Sequence, residues 1–327
     1  MTLFDDNPFP GPDPEPQSPD PGPSGGTPEP APPPLAGDPI SYAAVAPPAL
    51  HSSKPALPED LRITWSWPHL IVFLVFGFAS LLVIQLGLAV YLAADRHMSQ
   101  SQMQHLLETS PQFIVGSNVL WFALIFLFLY VTLAVLPNSP FWRSLGWKRL
   151  SPSAPAGKGG PWIYFFSGSG LAIFVAFASS RVKNTDHVPM QDLFKSRGGA
   201  FLLMGMAVLV APLVEETVFR GYLYPLFASK LSRLAERFGV DAEQAVRYGT
   251  GAAILLTGIL FGLMHGSQLG WTWGLVSLLT LVGIIFTFAR AHTGTVMASF
   301  LLHLGYNSMI AVSSIIATKG FTHLPTP

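Results

Sequence analysis

The sequence predicts an all-α, polytopic helical membrane protein of about seven transmembrane helices, preceded by a disordered, proline-rich tail. Half of its residues are hydrophobic and its mean hydropathy is +0.44. Only 11% are charged, whereas soluble domains carry about 25%. Seven segments are apolar over the roughly 20 residues that a membrane helix needs. Helices are expected because an open sheet edge in lipid leaves backbone groups unpaired.

Residues 1–62 have the composition of a disordered tail. The first 60 residues hold 18 of the 30 prolines, nine acidic residues and a single lysine. Such a segment cannot bury enough apolar surface to offset the entropy of ordering, and part of it is expected to be polyproline II. We expect a solvated extension, with an SH3-like partner as the alternative. A cleavable signal peptide is not expected, because the first residues do not show a basic region followed by an apolar core.

The spans divide the rest of the chain into N-terminal transmembrane helices, residues 63–160, and a C-terminal core, residues 161–317. The predicted spans are residues 68–94, 113–136, 161–180, 199–228, 250–268, 272–290 and 293–316. Lys and Arg are in excess in cytoplasmic loops. A cytoplasmic N-terminus puts eleven of them inside and six outside, so this orientation is predicted.

Composition also excludes several classes of function. The formal net charge is zero, which argues against a nucleic-acid partner because such a partner needs a basic face. The chain has no cysteine, so disulfides, thiolate catalysis and Cys-ligated zinc are excluded.

A few polar residues lie inside the predicted spans, where ionisable groups are costly and usually functional. Of the nine acidic residues beyond residue 60, only Glu215 and Glu216 fall in a span. His265 and His303 are the two histidines predicted to lie well inside spans, and Asn307 follows His303 by four residues. Polar residues can also serve only as contacts between helices, worth about 0.6 kcal/mol each.

Helical geometry separates the two glutamates. Glu216 and Arg220 are four residues apart and can form an ion pair on one face, for which a purely structural role is favoured. Glu215 is rotated by about 100° and can face a cavity. Counted at 1.5 Å per residue from the cytoplasmic ends of their spans, Glu215, His265 and His303 lie about 20, 22 and 15 Å deep. A shared site is therefore expected.

Together, these residue types have the chemistry for peptide hydrolysis by an activated water. A carboxylate beside an imidazole can take a proton from water, and a histidine beside an asparagine can donate to an oxyanion. A Ser/His/Asp triad is not predicted, because no aspartate lies in a span. The alternative is a zinc site ligated by Glu215, His265 and His303.

Two non-enzymatic alternatives use the same residues. The constellation could be the proton relay of a transporter, although its confinement to the C-terminal half disfavours the repeated halves of many transporters. The protein could also be a membrane immunity factor that acts by binding.

Three motifs occur in order on late spans: "EETVFR" fits EExxxR, "FGLMH" fits FxxxH and "HLGYN" fits HxxxN. Together they resemble the CPBP family of intramembrane proteases, which process CAAX proteins and bacteriocins, over about residues 160–317. The resemblance implies a membrane endopeptidase that acts on a membrane-associated peptide or protein. It also implies that Glu215 and His265 activate the water, and that His303 and Asn307 stabilise the tetrahedral intermediate.

The resemblance further implies that Glu216 and Arg220 support the site. Because the family includes enzymes described as metalloproteases and as metal-free, it leaves the cofactor open. We favour no metal. Metal-ligating histidines usually donate their second nitrogen to a carboxylate or carbonyl. Glu216 is expected to be engaged by Arg220, and helix carbonyls are expected to be already bonded.

Overall fold

The computed structural model describes residues 57–95, 97–150, 160–182 and 196–322. Within these ranges the regular structure is entirely helical, which confirms the predicted fold class. Seven helical segments there are long and apolar enough to cross a membrane, which agrees with the predicted number. The protein is therefore an integral, multi-pass membrane protein.

Most of the described residues belong to helices. The α-helices are α1 Trp67–Asp95, α2 Gln100–Thr109, α3 Pro111–Tyr130, α4 Phe141–Ser144, α5 Gly160–Ser179, α6 Arg197–Gly205, α7 Ala211–Glu216, α8 Tyr224–Arg237, α9 Ala242–Met264, α10 Trp273–Thr293 and α11 Val296–Ala317. A 3₁₀ turn covers Glu59–Leu61, and π-helical segments cover Val131–Val135, Met206–Val210 and Thr217–Leu223. π-Helical turns inside α-helices are frequent at functional sites.

The fourth span is a continuous helix of 41 residues, Arg197–Arg237, in which two π-helical segments flank α7. It runs past the predicted end at residue 228, and α9 begins before the predicted start at residue 250. The interpretation of residues 229–249 as a loop was therefore largely wrong. The reason is that a charged turn of helix lowers the local hydropathy as much as a loop does. The start of α9 is capped by Asp241, whose side chain accepts hydrogen bonds from two backbone N–H groups.

Small residues bring α5 and α11 together. A Cβ atom on Gly168 would collide with the carbonyl of Leu302, and one on Gly305 would collide with the carbonyl of Phe165. Ser169 donates a hydrogen bond to the Gly305 carbonyl across the same contact. Close approach at small residues is the usual way in which membrane helices pack. This contact positions the part of α11 that carries the HxxxN motif.

The predicted tail ends earlier than residue 62. Leu61 and Trp65 are 2% and 5% exposed and belong to the main hydrophobic core, together with residues of the fourth span. Asp60 accepts a hydrogen bond from the buried Arg290. Residues 57–62 are therefore part of the folded protein, because apolar and paired charged side chains follow the proline-rich stretch. The rest of the predicted tail, residues 1–56, lies outside the described residues.

Candidate active site

Glu216 is fully buried and ties two helices together. Its Oε1 atom accepts hydrogen bonds from Arg220 Nη1 and from His303 Nδ1, both at 2.9 Å. The pair with Arg220 is the one that the four-residue spacing predicts. The bond to His303 on α11 could not be predicted, because the two residues are 87 positions apart. Glu216 therefore orients a histidine as well as neutralising an arginine.

The guanidinium of Arg220 is also fully buried, and all three of its nitrogens have partners. Besides Glu216, Nε donates to the hydroxyl of Thr287 at 3.3 Å and Nη2 donates to the carbonyl of Gly283 at 2.9 Å. The ring of Phe261 lies 4.5 Å from the guanidinium carbon. These contacts offset the desolvation of the charge, which a single partner would do only in part. Thr287 and Gly283 could not be singled out from the sequence, since neither is unusual in a membrane span.

Glu215 points away from the ion pair, as its rotation about the helix predicts. Its Oε2 atom lies 3.9 Å from His265 Nε2 and 3.9 Å from His303 Nε2. This oxygen is buried and has no hydrogen-bond partner among the described residues. Both distances exceed those of a direct hydrogen bond but suit a bridging water. The structure thus brings together Glu215, His265 and His303, although the span ends from which their depths were counted differ from the predicted ones.

His265 lies at the end of α9 and not well inside a span, so that part of the prediction was wrong. Its backbone N–H turns back to the carbonyl of Gly262 at 3.2 Å. The carbonyl of Phe261 then accepts a hydrogen bond from the ring Nδ1 at 2.7 Å. The last turn of a helix leaves such carbonyls without helical partners. A carbonyl only accepts hydrogen bonds, so Nδ1 is the donor in this contact. The other ring nitrogen, Nε2, is left to face Glu215.

His303 has a matching arrangement. Its Nδ1 donates to the Glu216 carboxylate, so Nε2 faces Glu215. The ring is 5% exposed and packs 5.0 Å from the ring of Phe286, centroid to centroid. In both imidazoles, Nδ1 is held by a hydrogen bond and Nε2 faces Glu215. This is the usual way in which a protein selects the tautomer of a functional histidine.

Asn307 lies beside the backbone that precedes α7. Its Nδ2 atom donates to the carbonyl of Ala207 at 2.7 Å, within the π-helical segment Met206–Val210. In the described part of the chain this is its only side-chain hydrogen bond, so no direct bond joins it to Glu215. The amide connects α11 to the fourth span one turn beyond His303.

The donor set of Glu215, His265 and His303 meets some requirements of zinc. The expectation that a zinc site would lack supporting partners was wrong, because both Nδ1 atoms are hydrogen-bonded. The spacing fits less well. A tetrahedral site with bonds of about 2.0–2.2 Å places ligand atoms about 3.3–3.6 Å apart, and the carboxylate oxygen here is 3.9 Å from each imidazole. No group of three or more potential ligands is placed to hold a metal within the described ranges.

Arg290 is a further buried charge, although it ends the predicted span 272–290 and is counted among the basic residues of the cytoplasmic side. It lies in the last turn of α10 and is 1% exposed. Its Nη1 donates to Asp60 Oδ2 at 3.1 Å, and its guanidinium lies over the ring of Tyr224 at 5.6 Å. An arginine at the end of an apolar segment is expected to face water, unless a distant partner such as Asp60 allows its burial.

Residues 197–309 match the family model described as type II CAAX prenyl endopeptidase, Rce1-like. The matched segment runs from the start of α6 into α11. It includes all six polar residues singled out in the sequence and excludes α1 to α5. No curated protein and no solved structure matches the chain.

Proposed function

We propose, on the basis of the match of residues 197–309 to the Rce1-like type II CAAX prenyl endopeptidase model, that this peptidase uses Glu215 and His265 to activate the water that hydrolyses a peptide bond. The supporting observation is the position of Glu215 Oε2. It is buried without a partner and lies 3.9 Å from the free nitrogen of each histidine. A water bound among these three atoms would be polarised by all of them.

The number of hydrogens available to the water determines which of Glu215, His265 and His303 donates to it and which accept from it. A water molecule donates only two hydrogen bonds, so three acceptors cannot all be satisfied by it. One of the three groups must hold a proton and donate to the water oxygen. We assign this proton to His303, whose Nδ1–H already faces the carboxylate of Glu216. Glu215 and His265 then accept from the water.

In the proposed reaction the water oxygen bonds to the peptide carbonyl carbon while its proton passes to Glu215 or His265. Once the water oxygen has bonded to carbon, Nε2–H of His303 turns from that oxygen to the carbonyl oxygen and stabilises the charge that develops there. Asn307 has a second amide hydrogen for the same oxygen while it holds Ala207. The C–N bond then breaks, and the proton held by Glu215 or His265 passes to the leaving amine.

A peptidase within a bilayer acts on membrane-associated substrates, and we propose a peptide segment close to or within the membrane. The cytoplasmic location of the N-terminus stays a prediction.

The test compares wild type with Glu215→Gln, reconstituted in liposomes with a membrane-anchored reporter peptide. The amide cannot take a proton from water, so cleavage should fall by about 100-fold or more. Thermal stability should stay close to wild type, because Glu215 makes no direct hydrogen bond through Oε2. Glu243→Gln is the matched control, since this exposed glutamate pairs only with Arg247. Equal cleavage by wild type and Glu215→Gln would refute the proposal.

A further inference from the structure

Residues 57–69, here called the N-terminal strap, lie against the fourth span although they precede the family-matched segment by more than a hundred residues. The strap comprises the 3₁₀ turn, a short irregular stretch and the first residues of α1. Leu61 and Trp65 are buried within it. No residue of the strap has a role in the proposed reaction.

The strap makes three contacts with one buried residue, Tyr222. The Trp65 ring stacks on the Tyr222 ring, with centroids 5.5 Å apart and an interplanar angle of 21°. Trp65 Nε1–H donates to the Tyr222 carbonyl at 3.2 Å. His69 Nδ1 forms a hydrogen bond with the Tyr222 hydroxyl at 2.7 Å. Both the side chain and the backbone of Tyr222 are thus held by the strap.

Tyr222 lies in the π-helical segment Thr217–Leu223, which also carries Arg220. Two residues apart on a helix, their side chains leave on nearly opposite faces. A rotation that moves Tyr222 away from the strap therefore also moves Arg220 against Glu216. Because Glu216 orients His303, such a rotation would reach the proposed catalytic nitrogen.

A second contact holds the same segment from another side. Trp147 Nε1–H donates to the hydroxyl of Thr217 at 3.2 Å. A Cβ atom on Gly221 would lie 2.9 Å from the Leu145 carbonyl, so this loop packs directly on the backbone. The segment is therefore fixed from outside the family-matched region at both of its ends. At the end of the segment, the Tyr224 N–H donates to the Phe219 carbonyl, five residues back, which is the hydrogen bond of a π-helix.

We propose that Trp65 and His69 are positioning residues, which fix the rotation of the π-helical segment Thr217–Leu223 and through it the chain Arg220–Glu216–His303. The inference rests on the proposed function for its catalytic consequence, but the contact itself does not. Misplacement of a catalytic group by about 1 Å can cost up to 100-fold in rate. The loss should therefore appear in kcat rather than in KM.

The test uses the full chain and two neighbouring tryptophans. Trp65→Phe keeps an aromatic ring but removes the N–H donor to Tyr222. Trp67→Phe is the control, because Trp67 is 44% exposed and its ring lies beside Phe227 instead. We expect Trp65→Phe to lower kcat about tenfold with little change in KM or melting temperature. Hydrogen exchange should rise in peptides covering residues 217–223. Trp67→Phe should change neither.

A double-mutant cycle tests the second contact. His69→Leu and Tyr222→Phe each remove one partner of the same hydrogen bond, so their effects on kcat should be less than additive. Additive effects would refute a joint role.

The outcomes separate the two proposals. Unchanged exchange at residues 217–223 in Trp65→Phe overturns the positioning role, whatever the activity. A kcat loss that only follows a fall in melting temperature, with exchange raised throughout the chain, also overturns it. If wild type and Glu215→Gln do not differ in cleavage, the proposed function fails. The exchange measurement then still decides whether the strap holds the segment.

Discussion

Glu215 and Glu216 are adjacent in sequence but differ in what surrounds them. Glu216 is fully buried between Arg220 and His303. Glu215 is 21% exposed and lies between the free nitrogens of His265 and His303. A rotation of about 100° per residue produces this division. One carboxylate holds the site together, and the other faces the place where a water can bind.

The Glu216–Arg220 pair should be essential for folding. Glu216→Ala or Arg220→Ala leaves an unpaired buried charge, which should cost roughly 3–5 kcal/mol. The double replacement should recover part of the folded yield but not the cleavage, because His303 still lacks its Glu216 partner. Yield, melting temperature and reporter cleavage measure these effects.

The exposed pair Glu243–Arg247 provides the control, since it has the same four-residue spacing. Its replacement should change stability by at most about 1 kcal/mol. Single Glu216 or Arg220 variants that melt like wild type would contradict the pairing. Recovery of cleavage in the double variant would contradict the orienting role of Glu216.

The spacing of Glu215, His265 and His303 bears on whether the enzyme needs a metal ion. We expect the purified enzyme to retain activity after treatment with a strong chelator and to contain far less than one zinc per chain. The reason is that a water can bridge the 3.9 Å between Glu215 Oε2 and each imidazole nitrogen through hydrogen bonds, so the proposed reaction needs no metal. Elemental analysis and reporter cleavage are the measurements. Stoichiometric zinc whose removal and return switch activity off and on would establish the zinc alternative.

At the scale of elements, glycines position the helices that carry the site. Gly168 on α5 touches the Leu302 carbonyl, which directly precedes His303 on α11. At the crossing of α9 and α10, a Cβ on Gly283 would lie 2.9 Å from the Gly258 carbonyl. Helix spacing at these two crossings therefore sets where His303 and the acceptor for Arg220 lie.

Gly168→Ala should separate α5 from α11, lower the melting temperature and reduce cleavage, because the added methyl group would collide with backbone. Gly170→Ala is the control on the same helix, since nothing lies within 4 Å of its Cβ position. In a helix, Gly→Ala normally stabilises by roughly 0.5–1 kcal/mol. If both variants melt and cleave alike, close packing at Gly168 does not position α11.

At the scale of the whole molecule, the folded protein extends further towards the N-terminus than its composition suggests. Asp60 is paired with buried Arg290, and Leu61 and Trp65 belong to the core. The family-matched segment therefore packs against residues that the match does not cover. The boundary between tail and body lies before these residues.

Two truncations test this boundary. Removal of residues 1–56 should preserve cleavage of a short reporter, because their composition lacks any core-forming pattern. Removal of residues 1–66 should lower stability and cleavage, since Arg290 loses Asp60 and Tyr222 loses Trp65. The sequence alone predicts that residues 1–60 can be deleted, and the ion pair with Asp60 changes that limit. Equal activity of the two truncations would show that the strap is dispensable.

Local composition was sufficient to predict the membrane class, the seven spans and the candidate residues. The cost of placing an ionisable group in lipid depends on its immediate neighbours, so Glu215, Glu216 and Arg220 stand out in any apolar segment. The spacing of Glu216 and Arg220 also predicts their pair, because helix geometry is local. Their order with the two histidine motifs was enough to indicate the kind of protease whose family model matches residues 197–309.

The tertiary structure alone decided how these residues are held. The partner of His303 is 87 residues away and the partner of Arg290 is 230 residues away, so no local pattern contains either contact. The support of His265 depends on where α9 ends, because only there does the Phe261 carbonyl lack a helical partner. Chain composition determines which groups are costly to bury, whereas the packing of distant segments determines which partners make that burial stable.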